Sequence, residues 1–465
     1  MTSHSLASLG SRYALRAEVM MTRTGPIGDA VLAVDTGTIT YAGPAAGYAG
    51  PVPVTDLGRV ALTPGMLDIH HHVIEPFAKA LTGGEPAQLW KRFWLPLEAA
   101  TTPESAYDGA KWTFAEALRG GITTIVEHGI RSAEIADGIH RAAEDAGIRL
   151  VSSTGAYDLK NFDTTARTPQ ASASIDAGLA IAEAHVEACK GFTRVVPSLA
   201  CGTVQSNSQD MIRALSGMCR DRGLLFQIHA NEHTPEVHAC IEATGRRPIQ
   251  LLHDLGVLGP TVLIAHATLA TAEEIALLAA TDTAVAYNPV ASLWKGNNVA
   301  PVLDFIAAGV RFGLGSDATR NDGFRMLDAA EACQRIAYGM PRDDFSCGAG
   351  WRWTDAAFHG GADAAMLGDV TGALEVGKQA DFLVLDRRGP EVRPSWDFTW
   401  ELVRCFDRAD ILATFVDGAA MVVNGRTTRF DLDAFIDARE PHGRQAIVDA
   451  ELIRLHGPSD GYRTT

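Results

Sequence analysis

Four times along this 465-residue chain an apolar run ends on a histidine or an aspartate and then gives way to a helical pattern. The runs are Leu67-Asp68-Ile69 into His70-His71-His72, residues 224–228 into His229, residues 261–265 into His266, and residues 310–316 into Asp317. Short runs of this kind, each followed by a helix, read as parallel strands buried on both faces. Polar side chains at the C-terminal ends of such strands are where a β/α barrel builds its active site. Strands at 121–127, 149–153, 194–198 and 282–287, each preceded by a helical segment, fill the intervals. Together these make eight βα units and predict a closed barrel over residues 65–368.

The first run carries the densest chemistry. Pro64-Gly65 punctuates the chain ahead of it, and strand alternation places Asp68, His70 and His72 on one side and Ile69 and His71 on the other. Two imidazoles one pleat repeat apart can hold a divalent cation and leave room for ligands from other strands. Alone, such a pair reads more readily as a polar strand end. With His229, His266 and Asp317 at the ends of later strands, the metal reading gains the upper hand.

The rest of the chain sets the frame. Its length suits a barrel of roughly 250–350 residues plus an accessory unit. Residues 12–60 read as short strands broken by turns, and the same texture returns at 380–385, 411–416 and 421–423. The expected assembly is a small β-sandwich made from both chain ends, 1–64 and 369–430, with the barrel at 65–368 inserted between them. Residues 431–465 read as terminal amphipathic helices, one near 434–436 and one over 447–455. A hydrophobic content of 46% and a charged content of 21% belong to a folded protein with a sizeable core. The net charge of −16 lacks the basic footprint of a nucleic-acid partner. The seven cysteines include no Cys-x-x-Cys pair, so neither a disulfide framework nor a thiolate zinc site is expected. With no signal-like N-terminus and no apolar stretch of spanning length, a cytoplasmic location without a membrane partner is the expectation. The partner implied is a small-molecule substrate.

The signatures in order resemble the amidohydrolase superfamily, in its mononuclear aminohydrolase branch of cytosine, guanine and S-adenosylhomocysteine deaminases and triazine hydrolases. The first-strand motif Thr63-Pro64-Gly65-Met66-Leu67-Asp68-Ile69-His70-His71-His72 carries the resemblance. So do Trp94-Leu95-Pro96-Leu97-Glu98, Gly120-Gly121-Ile122-Thr123-Thr124, residues 251–260 leading to Ala265-His266, and the late Gly377-Lys378-Gln379-Ala380-Asp381 and Val416-Asp417-Gly418. The resemblance implies a (β/α)8 TIM-type barrel with the sandwich described. It implies that His70, His72, His229 and Asp317 bind one divalent metal, Zn²⁺ or alternatively Fe²⁺. It makes Glu232 the proton shuttle and places His266 beside metal and substrate, where it would stabilise developing charge. Asp317 would also take the proton of the attacking water. A homodimer is implied as well. Because His229 and Glu232 are three apart, the strand must end near Ala230 for both to reach one pocket.

Two departures from the branch bear on the substrate. No lysine stands on the fourth strand, which favours a mononuclear site, and the histidine that deaminase relatives often place after it is missing from Pro197-Ser198-Leu199-Ala200-Cys201. The segment Asn288-Pro289-Val290-Ala291-Ser292-Leu293-Trp294-Lys295-Gly296-Asn297 keeps the Asn-Pro and the Lys-x-Gly flavour of the branch but lacks the usual Ser-Asn pair. Substrate contacts are expected from Trp294, His128, Glu127 and Asn321. The other aromatics, Trp90, Phe93, Trp94 and Tyr157, read as core or rim, and His71, His233, His238 and His253 as structural. The leading reading is hydrolytic deamination of an amino-substituted N-heterocycle, whether purine, pyrimidine, triazine or pterin-like. The alternatives are hydrolysis of a related ring with chloride, alkylamine or a cyclic amide bond as the leaving group, and a catalytically silent scaffold.

Overall fold

The computed structural model describes residues 4–83, 85, 89–129, 131–158 and 172–455. Eight parallel strands lie side by side in chain order: Met66–His71, Ile122–Glu127, Arg149–Ala156, Val195–Thr203, Leu225–Ala230, Val262–His266, Ala284–Tyr287 and Phe312–Leu314. The last returns to the first, where the Asp317 N–H donates to the His70 carbonyl at 3.0 Å and the Ser316 N–H to the Asp68 carboxylate at 3.0 Å. The Ser316 hydroxyl donates to the same carboxylate. The result is a nearly closed barrel whose seam is stitched by a buried Asp–Ser pair. A side chain at Gly315 would drive into Asn288 and His70, so only glycine lets the eighth strand pass this close to the first.

The connecting helices begin and end on local signals. Ser132, Ser174 and Ser208 cap the N-termini of Ala133–Ala146, Ile175–Cys189 and Gln209–Arg222 with their side-chain oxygens. Strand alternation sorts the apolar residues. Leu67, Ile69, Val126, Val151, Leu225, Leu263 and Ala286 form one buried cluster. Their neighbours Ile125, Leu150, Phe226, Ile264 and Val285 join the larger cluster shared with the helices. The first set fills the barrel and the second seats the helical layer on it.

Both chain ends meet in one nine-stranded sheet. Arg12–Thr22, Gly25–Asp35, Thr38–Pro44, Val54–Asp56 and Val60–Pro64 come from the front, and Phe382–Asp386, Ile411–Val416, Ala419–Val423 and Arg426–Thr427 from the back. Val60–Pro64 pairs antiparallel with Phe382–Asp386, Leu62 opposite Val384, which is the join expected across the inserted barrel. Leu15, Leu32, Leu62, Phe382 and Phe415 bury the face of this accessory unit, with the Phe382 and Phe415 rings stacked at 4.3 Å. Arg149 and Arg194, at the starts of the third and fourth barrel strands, reach across to Asp381 and Asp417 of the sheet.

Two local expectations are corrected. The C-terminal segment is one helix, Leu432–Asp449, and the helix expected over 447–455 stops at its third residue. The polar middle of that stretch is held by tertiary contacts, Arg439 and His442 both pairing with Asp108 at 3.4 and 3.3 Å. Strict alternation also fails in the first barrel strand, where the pairing register shifts between Asp68 and His71. Asp68 consequently serves the seam while His70 and His72 turn to the cavity.

Candidate active site

The C-terminal ends of the strands open into a cavity of about 360 Å³ lined by His72, His229, His266 and Asp317, with Glu232 beside them. Three strands leave the barrel through left-handed backbone at this rim. Asn231 has φ 56°, His266 and Ala267 have φ 73° and 48°, and Asp317 and Ala318 have φ 54° and 57°. Such conformations cost on the order of 1–3 kcal/mol each in non-glycine residues and persist where surrounding structure enforces them. Here they turn consecutive polar side chains inward. The fifth strand ends at Ala230, and the turn at Asn231 carries Glu232 to the same pocket as His229, as their spacing required.

The imidazoles of His70, His72 and His229 offer ligand atoms within 4.8 Å of one another, and so do His70, His266 and Asp317. Asp317 Oδ1 stands 3.6 Å from His70 Nε2 and 3.5 Å from His72 Nε2. Both nitrogens of His70 and the Nδ1 of His72 are buried without a hydrogen-bond partner. His229 Nδ1 meets the Gly202 carbonyl at 2.9 Å, so that nitrogen carries the proton and Nε2 keeps its lone pair for the cavity. Burial lowers His72 well below its ordinary value and His229 to about 3, so both are neutral near pH 7. Neutral, converging, unpartnered imidazoles beside a carboxylate are the donor set a divalent cation takes.

His266 is held differently. Asn288 Nδ2 donates to its Nδ1 at 3.1 Å, which leaves the proton on Nε2, 3.5 Å from Glu232 Oε1 and 4.0 Å from Asp317 Oδ2. It is therefore a donor aimed between two carboxylates. Glu232 Oε1 also accepts from Asn297 Nδ2 at 2.8 Å and lies 3.2 Å from His233 Nε2. Burial opposes ionisation of Glu232, but His266 and His233 outweigh it and hold the carboxyl well below the usual range. Asp317 is lowered likewise, against burial, chiefly by Lys295.

Four residues expected at the substrate do not line this cavity. Trp294 is 40% exposed and does not line the cavity, because its helix, Pro289–Lys295, turns the next residue inward instead. Glu127 is buried against Arg131 at 2.9 Å, and Asn321 Nδ2 donates to Glu116 at 3.0 Å. His128 packs its ring 4.2 Å from that of His229, behind the site and not on the cavity wall. The aromatic wall comes from Trp90, Trp94 and Tyr157, which read as core or rim in the sequence. His233, expected to be structural, reaches the cavity because the same turn that delivers Glu232 delivers its neighbour. Lys295, Asn297, Glu75 and Glu98 also line the pocket, although the sequence singled out none of them as a site residue. The departure of segment 288–297 from the branch pattern was the available signal for the first two.

Residues 61–421 match the amidohydrolase family. The chain is 30% identical over 414 residues to a 5-methylthioadenosine/S-adenosylhomocysteine deaminase of Nitratidesulfovibrio vulgaris, covering 88% of this chain and 91% of that protein. It is 29% identical over 396 residues to the deaminase of the same name from Natronomonas pharaonis, covering 84% and 88%. Among solved structures, an adenosine deaminase from Xanthomonas campestris with bound zinc superposes with a TM-score of 0.84 at 24% identity, over 94% of this chain and 98% of that one. An atrazine chlorohydrolase from Arthrobacter aurescens complexed with zinc gives 0.82 at 20% identity, over 94% and 100%. At those identities the structures show a shared fold. From the matched span and the first of these relatives, the chain belongs to the amidohydrolase family.

Proposed function

We propose that this protein is a metal-dependent hydrolytic deaminase of an amino-substituted N-heterocycle, releasing ammonia. The observation that carries the reading is the convergence of neutral imidazoles and two lowered carboxylates on one cavity at the barrel's C-terminal rim. Relatives named as deaminases over most of the chain support the reaction type.

In this reading His70, His72, His229 and Asp317 hold one divalent cation, with Zn²⁺ favoured over Fe²⁺ by the zinc in the superposed structures. When bound, such a cation lowers the pKa of a coordinated water from about 15.7 to roughly 7. Asp317 accepts the proton of the attacking water and aims it at the amidine-like ring carbon. Glu232, ionised at rest, takes one proton of the water and passes it to the ring nitrogen, then relays the proton taken up by Asp317 to the departing ammonia, one carboxyl alternating between base and acid. Its lowered resting state leaves it ready to accept. His266, with its proton on Nε2, donates to the oxygen on which charge develops. Trp90, Trp94 and Tyr157 give the ring a flat, water-poor wall.

The chain is proposed to divide into a β-sandwich unit at 1–64 and 369–430, the barrel at 65–368 and a C-terminal extension at 431–465. The end-to-end strand pairing supports this division. A homodimer is proposed from the resemblance alone. No helix among the described residues is long and apolar enough to cross a membrane.

The test is ammonia release from metal-loaded protein offered aminopurines, aminopyrimidines, aminotriazines, aminopterins and adenosine derivatives. Release from a ring supports the proposal. Silence across the panel with metal bound overturns it in favour of a chloride, alkylamine or cyclic-amide leaving group.

A further inference from the structure

One short segment after the seventh barrel strand touches all three groups that would move protons. Asn288 donates to His266 at 3.1 Å, Asn297 donates to Glu232 at 2.8 Å, and Lys295 Nζ stands 2.8 Å from Asp317 Oδ2. This is the segment whose sequence departs from the branch. Lys295 is 6% exposed yet lines the cavity, and its ammonium lies over the Trp94 ring, 5.0 Å from the centroid. A lysine this buried needs its charge matched. Asp317 matches it only in part, since its other oxygen faces His70 and His72 at 3.6 and 3.5 Å and is committed to the cation site.

An ammonium has three donors. One is directed to Asp317 and the cation rests on Trp94, which leaves donor capacity toward the cavity. The cavity wall also carries carboxylates at Glu75 and Glu98. Both Glu75 oxygens are buried without a hydrogen-bond partner, and Glu98 is paired with Arg131 at 2.7 Å. The site thus offers a cation for an acceptor, while burial and the neighbouring Glu98 push the Glu75 carboxyl well above its ordinary value, toward the neutral acid. An exocyclic oxygen, above all when the ring is an anion, is a stronger acceptor for an ammonium than a neutral ring nitrogen, because it carries more negative charge.

We infer that Lys295 is a substrate-contacting cation that makes the site select amino-heterocycles carrying an exocyclic oxygen, as an oxo group or its ring anion, near the reacting carbon. This rests on the deaminase reading above, and it narrows the substrate class within it.

The experiment uses matched rings that differ by that oxygen: isoguanine and adenine, guanine and 2-aminopurine, cytosine and 4-aminopyrimidine. Binding is measured by calorimetry to metal-loaded Glu232→Gln protein, which holds a ring without turning it over, with Lys295 present and in a Lys295→Met partner. With Lys295, the oxo ring of at least one pair binds roughly 10–100-fold tighter than its mate, the size expected of a charge-assisted hydrogen bond. In Lys295→Met the ratio falls toward one while metal content is retained, and Lys295→Arg restores part of it. Equal affinities with Lys295 present, a preference that survives Lys295→Met, or no measurable binding of any oxo ring overturns the assignment. Should Lys295→Met fail to fold, the ratio in the protein that keeps Lys295 decides alone. Ammonia release by the wild type is followed in parallel; its absence overturns the deaminase reading, while the Lys295 assignment stands or falls on the binding ratio.

Discussion

Glu232 shows how much of the site depends on single side chains. It sits between two imidazoles and an amide donor, lowered and buried, so its carboxyl starts as an acceptor with a prepared destination for the proton. Glu232→Gln keeps the shape and the Asn297 contact region but removes the exchangeable proton. The expected outcome is metal content equal to wild type with turnover reduced roughly 10²–10⁴-fold. Elemental analysis with steady-state ammonia assays checks it, and full activity would remove Glu232 from the mechanism. His70→Ala is the complement, since both ring nitrogens lack any other partner and the side chain has no structural bond to lose. That variant is expected to lose metal and activity together; retention of wild-type metal content would mean the site has been misplaced.

At the scale of elements, the helices Ala133–Ala146 and Ile175–Cys189 dock on the strand Arg149–Ala156 through buried imidazoles. His140 Nε2 meets the Ser152 hydroxyl at 2.9 Å and His185 Nε2 the Ser152 carbonyl at 3.0 Å. Burial lowers His140 to about 4 and lowers His185 as well. The unfolded chain takes up these protons at its ordinary value near 6.5, so it binds more protons than the fold between pH 6.5 and 4. Stability is full above that window and falls as pH drops through it, His140 alone costing about 2 kcal/mol at pH 5. In His140→Gln, denaturant midpoints at pH 7.5 and pH 5 should lie closer together than in wild type. A variant with the wild-type pH slope would show that this contact does not set acid sensitivity.

Across the whole molecule, the barrel and the accessory sheet are joined by charge as well as by chain. Arg149 Nε donates to Asp381 at 3.0 Å, Arg149 also reaches Asp417, and Arg194 Nε lies 2.6 Å from Asp417. Asp381 is fully enclosed and its carboxylate also accepts the Asp417 N–H at 2.8 Å. Removing one partner of such a network strands a buried charge, typically at about 3–5 kcal/mol. Asp381→Ala is therefore expected to lower the unfolding free energy read from urea denaturation by that amount, while the kcat of protein that remains folded stays near wild type. A midpoint within error of wild type would show that the join does not depend on this pair. The cation site acts on the same equilibrium from the other end of the barrel. A metal bound only by the folded chain adds on the order of 4 kcal/mol when free at about 1,000 times its Kd. Chelation should thus lower Tm and reloading restore it, and a Tm indifferent to chelation would argue against a resident metal.

What could be read from the residues alone was whatever local periodicity encodes. Eight apolar strands separated by helices specify a barrel, because parallel strands must be covered on both faces and a helix after each strand does it. His70, His72, His229, His266 and Asp317 were legible because each stands at the end of such a strand, where the topology itself gathers side chains. Glu232 was legible only through the resemblance, since its spacing from His229 suits one pocket only if the strand ends at Ala230, as it does. The walls of the cavity were not. Trp90, Trp94, Tyr157, Glu75, Glu98 and Lys295 come from loops and short helices whose side chains converge only after the barrel closes. Trp294 and Lys295 are adjacent in sequence, and the register of one short helix decides which of them faces the cavity. The bulge that sends Asp68 to the seam meets Ser316, 248 residues further along the chain, a contact that only the closed barrel brings about. The chemistry of the centre was therefore written in the strands, and the choice of substrate was left to the packing around them.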